Sequence, residues 1–157
     1  MDEAVFEKMN EIMTRGKVNS MEAIKRRDDL VASRKAVPKL VSALNAARSK
    51  ADAARATLKQ PDDLKAVYDQ VDARIVKAPA ETLQDVLSHT QAQLDSVLKV
   101  VDFVQQHPQK IKLNGSMAEV QDPALLQQLN GLMEEMNSRA QQVMDDQRKI
   151  NTMVYGR

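Results

Sequence analysis

The sequence predicts an all-α fold, and three observations predict it. Aromatic residues make up only 3% of the 157 residues, as Phe6, Phe103, Tyr68 and Tyr155, whereas strands favour aromatic and β-branched side chains. Four glycines and five prolines leave little turn chemistry for many short strands. Apolar residues also recur at intervals of three and four over long stretches, the period of a helix with one buried face. The length is that of a single domain, 1–157, large enough to bury one core.

Prolines punctuate the helices, because proline cannot continue a preceding helix but suits a first turn. Asp122-Pro123 is the clearest start, an N-cap acid followed by proline at the first helical position. Pro61 and Pro79 read as further starts, His107-Pro108 as a stop, and Pro38 as either a start or a kink. The expected arrangement is an elongated antiparallel bundle. Its long helices lie near 38–59, 79–107 and 123–154, with shorter ones near 3–14, 20–36 and 62–77.

Each helix carries an apolar stripe. In 38–59, Leu40, Leu44, Ala47, Ala51, Ala54 and Leu58 form a seam whose alanine centre permits close approach of a neighbouring helix. In 62–77 the stripe is Leu64, Val67, Tyr68, Val71 and Ile75; in 79–107 it runs from Leu83 to Val104. The last helix carries Leu129, Met136, Val143 and Ile150 at heptad intervals, with Met133, Ala140, Gln147 and Val154 as a companion row. The N-terminal pieces use Val5, Phe6, Met9, Ile12 and Met13, then Met21, Ile24 and Val31. The segment 109–121 breaks the helical pattern: Lys110-Ile111-Lys112-Leu113 alternates into Asn114-Gly115, which reads as a small hairpin or an ordered loop.

Charge is unevenly distributed although the net value is only +1. Residues 15–59 hold 12 Lys/Arg against 4 Asp/Glu, and residues 62–146 hold 7 against 14. Two readings follow. The halves attract each other within one bundle, or the basic stretch, with Arg26, Arg27, Arg34 and Lys35, contacts an anionic partner such as nucleic acid or lipid headgroups. Nucleic acid is the weaker option, since no aromatics are interleaved for base stacking.

Catalytic and ligand-binding signals are sparse. His89 follows Asp85 and Glu81 along one helix face, too few ligands from one element for a metal site. Ser96-Val97-Leu98-Lys99 has Ser-x-x-Lys spacing but lacks the companion motifs that such enzymes need. Glycines at 16, 115, 131 and 156 form no phosphate cradle, and with no cysteine there is neither a thiolate ligand nor a thiol nucleophile. No cofactor and no enzymatic activity are expected. No run of about 18 apolar residues is present, and the acidic opening Met1-Asp2-Glu3 does not read as a signal peptide.

The stretch Ala51-Asp52-Ala53-Ala54, then Leu58-Lys59-Gln60-Pro61-Asp62-Asp63-Leu64-Lys65, Tyr68-Asp69-Gln70 and Pro79-Ala80-Glu81-Thr82-Leu83-Gln84, resembles the YiaF-like family of predicted enterobacterial envelope lipoproteins. The similarity runs from about Leu40 to His107 and contains no catalytic motif. It implies a helical domain held at a membrane through an N-terminal lipidated cysteine, which this chain lacks. The expected function is therefore a non-enzymatic protein-interaction or scaffolding domain of the bacterial cell envelope, on the periplasmic side; without the resemblance, a cytoplasmic protein is expected. Its partner would be another protein or a second copy, through Met133, Met136, Val143 and Ile150. The alternative is a nucleic-acid- or anionic-lipid-binding module using the basic segment 15–59.

Overall fold

The computed structural model describes residues 24–59, 61–114 and 117–156. The helix expected near 3–14, and the first residues of the one near 20–36, lie outside them. The described chain is an elongated bundle of helices with one small hairpin. Helix α1 spans Arg27–Thr57, α2 spans Asp62–Asp72, α3 spans Ala78–Gln106 and α4 spans Pro123–Tyr155; strands β1 (Ile111–Asn114) and β2 (Met117–Val120) lie between α3 and α4.

Two helices expected on either side of Pro38 are one. Pro38 lies inside α1 and is exposed, so its ring faces water while its missing N–H costs the helix a hydrogen bond. Leu30 and Val37 flank it on the buried face, at 2% and 1% exposure. Burying each is worth about 1.5–3 kcal/mol, comparable with the roughly 3 kcal/mol that an interior proline costs. The break expected at Pro79 is also absent. A single π-turn, Ala73–Lys77, joins α2 to α3 without interruption, and the Ala78 N–H donates to the Ala73 carbonyl. Proline at position 79 cannot donate to the carbonyl four residues back and would crowd it. The wider turn immediately before it relieves that conflict.

Ion pairs align α1 antiparallel to the α2–α3 rod. Arg27 meets Asp102 at 2.7 Å, Arg34 meets Asp95, Arg48 meets Glu81 at 3.6 Å, and Arg55 meets Asp72 at 2.7 Å and also Asp69. Helix α4 returns antiparallel to α3, with Lys99 to Glu135 at 2.9 Å and His89 to Asp146 at 2.5 Å. Its start has the expected cap: Asp122 accepts hydrogen bonds from the Ala124 and Leu125 N–H groups at 3.0 and 3.3 Å. Its end is closed by Gly156 at φ 66°, a left-handed conformation that glycine adopts without a Cβ clash.

The core sits in one half of the rod. Leu30, Val37, Leu94, Val97, Leu98 and Val101 form one buried cluster, and Val100, Val104, Ile111 and Leu129 form a second beneath the hairpin. The segment 109–121 is thus a hairpin, with Ile111 paired to Val120 and Asn114 to Met117. Two residues, 115 and 116, connect the strands, so the Asn-Gly pair straddles the end of β1. Inward-facing Ile111 packs the hairpin onto α3 and α4, which supplies the support that an isolated two-stranded unit lacks.

Candidate functional site

The basic residues nominated for an anionic partner mostly have partners of their own. Arg26 reaches Asp29 at 3.4 Å, and Arg27 and Arg34 bridge to α3 through Asp102 and Asp95. The hydrogen bond that Arg27 donates to Asp102, reinforced by the carboxylate's charge, raises the Arg27 pKa above its ordinary value. Lys35 is exposed and makes no ion pair among the described residues. Arg27, Arg34 and Arg139 line an open groove of about 670 Å³ together with Asp95, Asp102 and Glu135. Because carboxylates alternate with cations there, the groove presents no single-sign field to a phosphate.

The heptad residues nominated as an interface lie on the side of α4 that meets α3. Val143 is buried, Met133 packs on the cluster beneath the hairpin, Met136 touches both clusters, and Ile150 is half-buried. The Ser-x-x-Lys residues diverge. Ser96 is buried, with its hydroxyl donating to the Gln93 carbonyl at 2.7 Å, while Lys99 reaches Glu135 on α4. His89 turns from Asp85 and Glu81 toward Asp146, and the His107 ring lies tilted against Phe103 with centroids 4.7 Å apart. Among the described residues, no group of three His, Asp or Glu side chains is placed to hold a metal ion. No helix there is long and apolar enough to cross a membrane.

The most distinctive surface is at the other end of the rod. Carrying the His89–Asp146 register forward brings the end of α4, Tyr155, level with about Ala80. Beyond that level, among the described residues, only α1 and the α2–π segment continue, tied by Arg55 to Asp69 and Asp72. Hydrogen bonds from Lys65 and then from Arg55 hold the Asp69 carboxyl below its ordinary pKa. The Arg55 guanidinium is raised correspondingly, chiefly by its hydrogen bond with Asp69. No described residue from Pro38 to Pro79 with a described side chain is buried. Leu58, Leu64, Val67, Tyr68, Val71 and Ile75 are all exposed, Ile75 at 66%. The periodicity identified the stripe on 62–77, but a stripe cannot reveal whether a third helix covers it. The alanine seam of α1 is likewise open: Leu40, Leu44 and Ala51 are half-buried, and Ala47, Ala54 and Leu58 are exposed.

Comparison with known proteins supports a YiaF-like family. The chain is 39% identical over 67 residues to a protein of Escherichia coli K12 named "Uncharacterized protein YiaF", and equally to those of Escherichia coli O157:H7 and Shigella flexneri. The match covers 43% of this chain and 28% of each relative's length. No solved structure matches. The family described as "Protein of unknown function (DUF3053)" matches residues 1–151, nearly the whole length, and this chain belongs to it.

Proposed function

We propose that this chain is a non-catalytic helical interaction module whose contact face is the open two-helix end, residues 50–77. The observation that carries the reading is the exposed apolar stripe on α2 and the π-turn, continuous from Leu64 to Ile75 and uncovered by α4. Leu64, Val67, Tyr68, Val71 and Ile75 are each 45–66% exposed there, and a contiguous apolar patch of this kind marks an interaction site. Such a surface is costly in water unless something covers it. The working location is the bacterial cell envelope, an expectation supported by the YiaF-like resemblance and tested by membrane fractionation; recovery only in the soluble cytoplasm sinks it. Three of the four nominated cations are already ion-paired, which counts against an anionic ligand as the main partner.

The contact face is tested in cells by a photo-crosslinking residue placed at Tyr68, at Ile75, or at Lys112 on the hairpin. Adducts are expected at Tyr68 and Ile75 and not at Lys112. Adducts at none of the three, or at Lys112 alone, remove this reading.

A further inference from the structure

We propose that the open end is closed by a second copy of this chain, packed antiparallel, so that two overhangs complete one four-helix bundle. This rests on the interaction-module reading and names its partner. Two helices alone cannot enclose a core, and the two described here do not: among the described residues, buried positions stop at Val37 on α1 and resume at Ala80 on α3. Four helices can enclose one, and joining two identical halves about a two-fold axis is the commonest route to a closed assembly.

The stripe is self-complementary. Leu64, Tyr68, Val71 and Ile75 are spaced four, three and four, the same in both directions. An antiparallel copy therefore sets Leu64 against the second copy's Ile75, and Tyr68 against its Val71. Charge follows the same symmetry. In sequence the segment is acidic at its start, Asp62-Asp63, and basic at its end, Arg74 and Lys77, the latter also reaching Asp72 at 3.6 Å. Antiparallel copies bring the acidic start of each against the basic end of the other, whereas parallel copies juxtapose like charges. The alanines of the α1 seam, Ala47, Ala51 and Ala54, leave room for the approach.

The test uses the full chain. Light scattering from micromolar to millimolar concentration is expected to show the mass doubling. Val71→Glu with Ile75→Glu is expected to raise the half-dimer concentration at least tenfold with unchanged helical circular dichroism, because both side chains are exposed in the single chain. The chain contains no cysteine, so introduced thiols report cleanly. Leu64→Cys mixed with Ile75→Cys is expected to form a disulfide-linked pair. Leu64→Cys alone is not, since its two copies would stand about 16 Å apart along the axis. A strict monomer overturns the proposal, as does a dimer indifferent to the glutamates, or one in which Leu64→Cys alone cross-links. A monomer whose Ile75→Cys thiol resists maleimide assigns the face to another part of the same chain and also overturns it. A monomer that still yields Tyr68 adducts in cells removes the second copy while the interaction-module reading stands.

Discussion

Asp146 is the one charged side chain in the core of the described residues, 2% exposed on α4. It is held by His89 Nδ1 at 2.5 Å from α3 and by Lys149 at 3.4 Å from its own helix. A buried acceptor that loses its partner costs about 1–3 kcal/mol. His89→Ala is therefore expected to lower stability by that amount in urea titration; a variant as stable as the parent would show the pair to be idle. Nothing local in the sequence announces this contact, because Asp85 is the acid within reach of His89 along its own helix, and Asp146 is 57 residues away. Asp122 is the opposite case, legible from Asp-Pro alone. Backbone N–H groups of Leu125 and Ala124, followed by Lys110, hold its carboxyl below the ordinary value. With the folded pKa depressed, its contribution is fully present above about pH 4 and fades as pH falls through the folded value. Asp122→Asn keeps a capping oxygen but does not titrate. It should melt lower than the parent at pH 6, with the gap closing toward pH 2; a gap independent of pH removes the assigned role.

Among the elements, helix existence was plain from periodicity, whereas helix boundaries were not. Pro79 reads as a start, and Pro38 as a start or a kink, because proline disfavours a helix interior, yet both are accommodated. At Pro38 the burial of Leu30 and Val37 outweighs one lost hydrogen bond, and at Pro79 a π-turn removes the steric conflict. The Pro38 outcome depends on contacts made by another helix, which a local propensity cannot contain, and the Pro79 outcome on a π-turn that proline alone does not announce. The hairpin was legible as an alternation, and its stability comes from Ile111 seated among Val100, Val104 and Leu129. Helix α4 contains a glycine in its interior, Gly131, where an added Cβ would meet nothing within 4 Å. Gly131→Ala is expected to raise stability by roughly 0.5–1 kcal/mol through lower unfolded-state entropy. A destabilised variant in thermal or urea unfolding would point to a contact at that position.

For the whole molecule, stability is expected to be lopsided. Buried clusters occupy the hairpin half, and the overhang holds together through ion pairs such as Arg55 with Asp69 and Asp72. Exposed ion pairs are individually worth at most about 1 kcal/mol, so the two halves should open separately. Under dilute conditions, amides of α2 are expected to exchange with deuterium orders of magnitude faster than those of α3 from Leu94 to Val104, and to slow as concentration rises. Uniform protection along the rod would contradict this division. The overhang itself was hidden in the sequence. Read as separate helices near 62–77 and 79–107, the chain has no element longer than the last one. Fused, they form a rod of about 67 Å against roughly 50 Å for α4, and the difference in length is what exposes the stripe.

The π-turn also governs direction. An α-helix advances about 100° per residue, and a π-turn absorbs one extra residue without that rotation. Counting back from Val101, Leu94 and Leu87 on α3, an unbroken α-helix would carry Leu64, Tyr68 and Val71 roughly a quarter-turn away from the buried side. With Ala73–Lys77 wound as a π-turn, those side chains fall on the same azimuth as the α3 core face. The stripe is thus the core face of α3 extended past the reach of α4, and a single additional residue in the chain keeps it aimed there.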